Sequence, residues 1–273
     1  MTNASNRKGR VRAAAPIGVF DSGVGGLSVL REIRSSLPNE DLIYVADSAH
    51  VPYGSKRPQD IIDRSRVLSR FLLDRGCKAL VIACNTATAS AAAMLRQEFP
   101  HLLIIGMEPA VKPAAAATKN GVVGVLATVG TIRSARFAAL LDRFAHDIKV
   151  VTQPAPGLVE QVEAGKLDSL ETRELIDVFV RPLRRAGADT IVLGCTHFPF
   201  LKPLIAEAAG NGVTLVDTGA AVARQLKRRL AEAALLRPVG PGEEQFWTSG
   251  DQARVRKVVG RLWGGEPLVQ LLS

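Results

Sequence analysis

The chain has 273 residues, 47% hydrophobic and 22% charged, a composition typical of globular proteins and a length that fits one large domain or two modest ones. Its formal net charge is +9, but with 5% aromatic residues and no recognisable nucleic-acid motif we favour a solvated basic surface over nucleic-acid binding. Three cysteines without a CxxC pair and only four histidines argue against a disulfide framework and a zinc site, and favour the reducing cytoplasm.

The first residues form a basic segment. Residues 1–15 carry Arg7, Lys8, Arg10 and Arg12 without the apolar run of a secretory signal, and no later segment approaches about 18 uninterrupted apolar residues. We therefore predict a disordered basic tail at residues 1–15 and no membrane anchor.

The first predicted strand, Pro16–Phe20, leads into the glycine-rich turn Asp21-Ser22-Gly23-Val24-Gly25-Gly26 and then a helix. The turn imitates a dinucleotide-binding fingerprint, with Asp47 standing where the ribose acid would be. Ser28 occupies the position of the third glycine of that motif, so we disfavour nicotinamide binding. The turn is either a tight connection that needs glycine, or one that also brings Asp21 and Ser22 to a ligand site.

The second predicted strand, Leu42–Ala46, is followed by a polar loop that ends in Val51-Pro52-Tyr53-Gly54. Loops at this edge of an α/β sheet often carry function. His50, in the same loop, has the residue type of an acid or base, but we favour an exposed histidine without a catalytic role. An amphipathic helix is expected over Asp60–Arg75.

The third predicted strand ends at a thiol. An apolar run from Cys77 stops at Cys84, and the alanine-rich segment up to Gln97 predicts a helix. Cys84 therefore stands at a strand end and a helix start, where open α/β sheets bind ligands and where helix N–H groups favour a thiolate or a carboxylate. A cysteine at this position is also commonly a buried structural residue.

The segment Gly187–Pro199 repeats this stretch almost position by position, with Cys195 matching Cys84. Val122–Leu126 and its polar turn likewise mirror the first strand. The sequence thus predicts two similar Rossmann-like (flavodoxin-like) α/β domains that face each other across a cleft holding both thiols. The predicted domains are residues 16–108 plus 217–273, and residues 109–216, because a final strand and helix near Phe246–Leu262 return to the first half.

Two thiols on opposite sides of a cleft fit the chemistry of racemisation. Removing a proton from a carbon beside a carboxylate and returning it on the other face needs one base and one acid, and no cofactor. Free cysteine has a pKa of about 8.5, so a thiol and a thiolate can coexist near neutrality. Asp21 and His197 are placed to assist, although a carboxylate alone would raise the pKa of a neighbouring thiol.

Four motifs in order resemble the signatures of the glutamate racemases, within the aspartate/glutamate racemase family. They are, in this sequence, Gly18–Gly26, Val51–Gly54, Ala83–Ala87 and Leu193–Pro199. The resemblance implies two domains related by a pseudo-twofold axis and cofactor-independent, two-base racemisation of glutamate for peptidoglycan.

The resemblance also implies roles for individual residues. Cys84 would be the base for D-glutamate and Cys195 for L-glutamate, with Asp21 assisting the first and His197 the second. Glu163 matches a carboxylate that supports the second half-site, although Ala155 replaces a cysteine common in relatives and Glu160 offers a competing alignment. The residues expected to hold the amino acid are Asp21, Ser22, Tyr53, Gly54, Asn85, Thr86, Thr128, Thr131, Thr196 and His197.

Two other functions compete with this one. A related cysteine-pair enzyme, such as an aspartate racemase, usually has glutamate where this chain has His197, and a non-catalytic amino-acid-binding protein would not need paired thiols. Beyond a small-molecule substrate we expect no metal, no cofactor and no membrane partner, and the sequence leaves monomer and homodimer open.

Overall fold

Two parallel sheets organise the chain in the computed structural model, which describes residues 13–272. The six-stranded sheet has the order β10-β9-β2-β1-β3-β4 and the four-stranded sheet the order β6-β5-β7-β8. The first contains β1 (Ile17–Asp21), β2 (Leu42–Ala46), β3 (Ala79–Ile82), β4 (Leu103–Ile105), β9 (Glu244–Thr248) and β10 (Val269–Leu271). The second contains β5 (Val122–Ala127), β6 (Lys149–Pro154), β7 (Thr190–Gly194) and β8 (Thr214–Val216).

Helices connect these strands and cover both faces of the sheets. They are α1 (Leu27–Ser36), α2 (Pro58–Asp74), α3 (Asn85–Glu98), α4 (Val111–Ala117), α5 (Val129–Ile132), α6 (Ala135–Phe144), α7 (Leu158–Glu163), α8 (Leu170–Arg185), α9 (Lys202–Ala209), α10 (Gly219–Glu232) and α11 (Gln252–Trp263), with 3₁₀ turns at Tyr53–Ser55 and Phe198–Leu201. Because helices cover both faces, β1, β2, β3 and β7 are buried along their whole lengths, and their sequences are accordingly rich in apolar residues.

The two sheets repeat one topology. The order β2-β1-β3-β4 in the first is matched by β6-β5-β7-β8 in the second, so β1 corresponds to β5 and β3 to β7. The fold class predicted from the sequence, two similar α/β units, is therefore confirmed. In such sheets ligands bind beyond the carboxyl ends of the strands where the strand order reverses, which here is between β1 and β3 and between β5 and β7.

The C-terminal part of the chain returns to the first sheet. Strand β9 pairs in parallel with β2, β10 pairs with β9, and α10 packs against α1. The predicted domain boundaries, near Glu108 and Val216, stay a prediction.

The predicted basic tail, residues 1–15, falls outside the described residues for its first twelve positions. Its last part is ordered: Ala13 is buried, and its carbonyl accepts a 2.5 Å hydrogen bond from Lys78 Nζ. Across residues 13–272 no helix has the length and apolar character needed to cross a membrane.

Candidate active site

A small cavity lies where the two halves meet. About 280 Å³ of space, including the solvent at its mouth, is free of protein atoms, and the cavity opens between the carboxyl ends of β1, β3 and β7. Both predicted thiols line it, together with most of the predicted substrate-binding side chains. The lining residues are Ser22, Pro52, Tyr53, Gly54, Cys84, Asn85, Thr86, Thr128, Val159, Gly194, Cys195, Thr196 and His197.

Cys84 caps helix α3 instead of ending strand β3. Its sulfur accepts a hydrogen bond from the backbone N–H of Ala87 at 3.4 Å, and only 6% of the residue is exposed. Burial raises the pKa of Cys84 well above its usual range, and the charge of Asp21 raises it further, while the Ala87 N–H opposes both. In the cavity as it stands, Cys84 is therefore a protonated thiol, ready to donate.

Asp21 reaches Cys84 through Ser22. Cys84 Sγ lies 3.9 Å from Ser22 Oγ, which is 3.3 Å from Asp21 Oδ1. The Asp21 carboxylate also accepts the backbone N–H groups of Ser22 at 2.7 Å and Gly26 at 2.6 Å. Burial raises the pKa of Asp21, against the opposing charge of His197. Asp21 itself lies behind the cavity wall rather than in it.

Cys195 has a different partner from Cys84. It precedes a 3₁₀ turn rather than a helix, and its sulfur lies 3.7 Å from His197 Nδ1. On the other side of the ring, His197 Nε2 lies 2.6 Å from Glu163 Oε1. Burial alone would lower the pKa of His197, but its hydrogen bonds to Cys195 and Glu163 outweigh burial and raise that pKa well above its usual value. A protonated imidazole donates from both nitrogens, toward the Cys195 sulfur and the Glu163 carboxylate.

The competing alignment of Glu160 receives no support from this geometry. Both glutamates line a neighbouring cavity, but Glu160 is exposed, whereas Glu163 is 7% exposed and contacts His197. Ala155, which stands where the resemblance implies a cysteine in relatives, is buried.

The glycine-rich turn of the first half receives side chains of the second. A Cβ atom added at Gly23 would overlap the Glu163 carboxylate, and one added at Gly25 would overlap the His197 ring. Glu163 Oε1 also accepts the backbone N–H of Val24 at 2.7 Å. The turn therefore needs glycine because Glu163 and His197 lie directly against it.

Three threonine hydroxyl groups from the two halves meet at one side of the cavity. Thr86 Oγ1 lies 2.9 Å from Thr128 Oγ1 and 3.2 Å from Thr131 Oγ1, and Thr128 and Thr131 are 3.0 Å apart. Thr86 and Thr128 line the cavity, but Thr131 does not. Thr131 contacts the hydroxyl groups of the two lining threonines, and its predicted contact with the substrate stays a prediction.

Asn85 and Thr196 directly follow the two cysteines in the chain, and both line the cavity. The amide oxygen and nitrogen of Asn85 are buried without a hydrogen-bond partner in the described structure, which is the state expected of groups that a bound ligand satisfies. Thr196 Oγ1 donates to Asp21 Oδ2 at 3.2 Å, and the Thr196 carbonyl accepts from Ser28 Oγ at 2.8 Å.

Tyr53 lines the cavity, as predicted for a substrate-binding residue, and its role in binding stays a prediction. Its hydroxyl donates to Asp47 Oδ2 at 2.6 Å. The hydroxyl is therefore already engaged with Asp47, and Tyr53 and Gly54 line the cavity together. Val159 also lines the cavity and was not predicted, because nothing in its sequence context distinguishes it from the other apolar positions of α7.

Known proteins resemble this chain over nearly its whole length. The profile of the family described as Asp/Glu/Hydantoin racemase matches residues 17–226. The glutamate racemase of Stutzerimonas stutzeri strain A1501 is 58% identical over 257 residues, which cover 94% of this chain and 97% of that protein.

Solved structures of glutamate racemases are also similar to this chain. The glutamate racemase isoform RacE1 of Bacillus anthracis superposes with a TM-score of 0.87 at 33% identity, covering 95% of this chain and 97% of that one. The Escherichia coli glutamate racemase, solved with L-glutamate and the activator UDP-MurNAc-Ala, superposes with a TM-score of 0.83 at 34% identity, covering 94% and 98%. The fold, the paired thiols and these relatives lead to one conclusion: the chain is an isomerase and belongs to the Asp/Glu/hydantoin racemase family.

Proposed function

We propose that this enzyme is a glutamate racemase that interconverts L- and D-glutamate without a cofactor, by a two-base mechanism. The observation that carries the proposal is that Cys84 and Cys195, which follow corresponding strands of the two repeated sheets, line the same buried cavity. The names of the relatives support glutamate as the substrate.

In the proposed mechanism the thiolate of Cys195 removes the α-proton of L-glutamate. The electron pair left on the α-carbon is delocalised into the substrate carboxylate, and the thiol of Cys84 gives its proton to the opposite face of the planar intermediate. For D-glutamate the two sulfurs exchange roles, so no net proton is gained or lost. The protonated state of Cys84 described above suits the donor in the first direction.

Neighbouring groups assist each sulfur. A protonated His197, held by Glu163, stabilises negative charge on Cys195. On the other side of the cavity, Asp21 accepts a hydrogen bond from the Ser22 hydroxyl, which in turn contacts the sulfur of Cys84. The unpaired Asn85 amide, the hydroxyl groups of Thr86 and Thr128, and the backbone of Tyr53 and Gly54 are proposed to hold the substrate's charged groups. We further propose that the enzyme acts in the cytoplasm and supplies D-glutamate for peptidoglycan.

Incubation with L-glutamate in heavy water tests the proposal. We expect deuterium at the α-carbon and D-glutamate to appear together, measured by NMR and by circular dichroism. Binding without exchange would indicate an amino-acid-binding protein, and exchange with aspartate alone would indicate an aspartate racemase.

Substitutions identify the two bases. Cys84→Ala and Cys195→Ala should each abolish racemisation while leaving the far-ultraviolet circular dichroism spectrum unchanged. The matched control is Cys77→Ala, because Cys77 is also buried but does not line the cavity, and this variant should remain active. Racemisation retained in either active-site variant would refute the two-base assignment.

A further inference from the structure

Asp47 stands in the sequence where a dinucleotide-binding motif has its ribose-binding acid, but in the structure its carboxylate accepts hydrogen bonds from neighbouring side chains. Its side chain is fully buried and is the centre of a group that we name the Asp47 cluster: Asp47, His50, Tyr53, Arg64 and Ser249. Oδ2 accepts from Tyr53 Oη at 2.6 Å and Arg64 Nε at 3.0 Å. Oδ1 accepts from Arg64 Nη2 at 2.8 Å and Ser249 Oγ at 2.7 Å, and lies 3.1 Å from His50 Nδ1.

The Asp47 cluster joins the cavity loop to rigid elements of the first half. Asp47 follows β2, Arg64 lies within α2 and Ser249 follows β9, whereas Tyr53 belongs to the loop that lines the cavity. Burial would raise the pKa of Asp47, but the hydrogen bonds from Arg64, Tyr53 and Ser249 outweigh burial and lower that pKa. The carboxylate is therefore ionised, and its charge-assisted bonds are of the stronger kind.

The loop that Asp47 holds lies directly against the second half. A Cβ atom added at Gly54 would stand 2.7 Å from Thr128 Cβ, and one added at Gly130 would stand 3.0 Å from the Gly54 carbonyl oxygen. With so little free space on that side, a shift of the loop by a few tenths of an ångström changes its contacts with Thr128. The Tyr53–Gly54 loop is thus closely packed against the second half at Thr128 and Gly130.

We propose that Asp47 is a positioning residue for substrate binding, which acts by holding the Tyr53 hydroxyl and so fixes the Tyr53–Gly54 backbone opposite Thr86 and Thr128. The inference rests on the proposed racemase function. Because this loop bears on the substrate in the ground state and the transition state alike, releasing the loop should weaken binding more than it slows proton transfer.

The variant Tyr53→Phe tests this with the least disturbance, since it keeps the buried ring and removes only the hydroxyl that Asp47 holds. We expect KM for both enantiomers to rise about tenfold, the effect of losing one hydrogen bond to a charged group, with kcat changed less than about threefold. Ser249→Ala, which removes a donor on the other oxygen, should raise KM in the same direction by a smaller factor. The matched control is Asp60→Asn on the same helix α2 as Arg64, because Asp60 pairs at the surface with Arg57 and should leave KM unchanged.

A second measurement does not depend on activity. Hydrogen–deuterium exchange of residues 51–57 should be at least several-fold faster in Tyr53→Phe than in the unmodified enzyme and in Asp60→Asn. Unchanged KM and unchanged exchange in Tyr53→Phe, with only a lower melting temperature, would overturn the inference and leave Asp47 a purely structural residue. If the unmodified enzyme does not racemise glutamate, the proposed function fails, and the exchange experiment still decides whether Asp47 holds the loop.

Discussion

His197 Nε2 lies 2.6 Å from Glu163 Oε1, and the same oxygen accepts the backbone N–H of Val24 at 2.7 Å. Glu163 and His197 come from the second half of the chain, whereas Val24 belongs to the glycine-rich turn of the first. One carboxylate therefore both orients the imidazole beside Cys195 and ties the two halves together at the cavity.

Glu163→Gln should lower activity by changing the protonation of His197. The amide keeps an oxygen for Val24 but removes the negative charge that helps to raise the pKa of His197, so His197 loses its proton at lower pH. If catalysis needs the protonated imidazole, the alkaline limb of kcat/KM moves to lower pH, and at a fixed pH on that limb the rate falls about tenfold for each pH unit of the displacement. Racemisation followed by circular dichroism from pH 6 to 10 measures both effects.

The matched control for this prediction is Glu160→Gln, one turn earlier on the same helix and exposed. Its pH profile should coincide with that of the unmodified enzyme. If the alkaline limb does not move in Glu163→Gln, Glu163 does not control the protonation of His197, and its contact with Val24 is only structural.

Gly25→Ala should obstruct the contact between the halves. The added methyl group would come within 2.5 Å of His197 Cε1, so the ring must leave its place between Cys195 and Glu163. We expect kcat to fall at least about 100-fold. The control Gly219→Ala places a methyl group 3.1 Å from Cγ of the flexible Glu32 side chain and should retain activity. A Gly25→Ala enzyme with normal kcat would show that His197 need not occupy the observed position.

Most of the fold could be predicted because buried parallel strands are continuous apolar runs. The repetition of these runs along the chain indicated two similar halves. Helix α6 (Ala135–Phe144) was not predicted, although Ser134 caps it, accepting the N–H of Phe137, and an amphipathic pattern follows. The short edge strand β10 (Val269–Leu271) has too few residues for any periodicity, and only its pairing with β9 defines it.

The site residues that belong to short sequence motifs could be predicted. Repeated motifs identify Cys84 and Cys195. Glu160 and Glu163, in contrast, are three residues apart and therefore neighbours on the surface of α7, so the helical pattern does not show which of them contacts His197. The Asp47 cluster could not be predicted from the sequence, because Ser249, which donates to Asp47, lies 202 positions away along the chain. The catalytic roles themselves stay a prediction.

The raised pKa of Cys84 predicts how its alkylation depends on pH. With the thiol pKa well above neutrality, the reactive thiolate fraction should increase about tenfold per pH unit between pH 7 and 9. Iodoacetamide labelling followed by mass spectrometry measures this, and glutamate should slow labelling of Cys84. Cys77 is the internal control, because burial raises its pKa to about 12 and it lies outside the cavity, so glutamate should not protect it. A labelling rate for Cys84 that is flat across this pH range would contradict the protonated resting state.

Lys78 and Glu40 form an ion pair in the first half, with side chains only 1% and 2% exposed. Lys78 Nζ also donates to the Ala13 carbonyl at 2.5 Å, and Glu40 Oε1 accepts the N–H of Arg237 at 2.9 Å, so the pair joins the N-terminal segment to the C-terminal return. Glu40→Gln leaves the buried ammonium without its counter-charge and should lower the free energy of unfolding by about 3 kcal/mol at pH 7.

The pH dependence of that loss has a definite sign. Burial lowers the pKa of Lys78, and its bond to Glu40 opposes this, so in Glu40→Gln the folded protein releases the Lys78 proton more readily than the unfolded chain. Stability then rises with pH between the folded and unfolded pKa values, and the loss should be smaller at pH 10 than at pH 7 in urea denaturation. The double variant Glu40→Gln/Lys78→Met, which removes the stranded charge, should regain much of the stability at pH 7. Equal losses in the single and double variants would show that the buried charge is not what destabilises the protein.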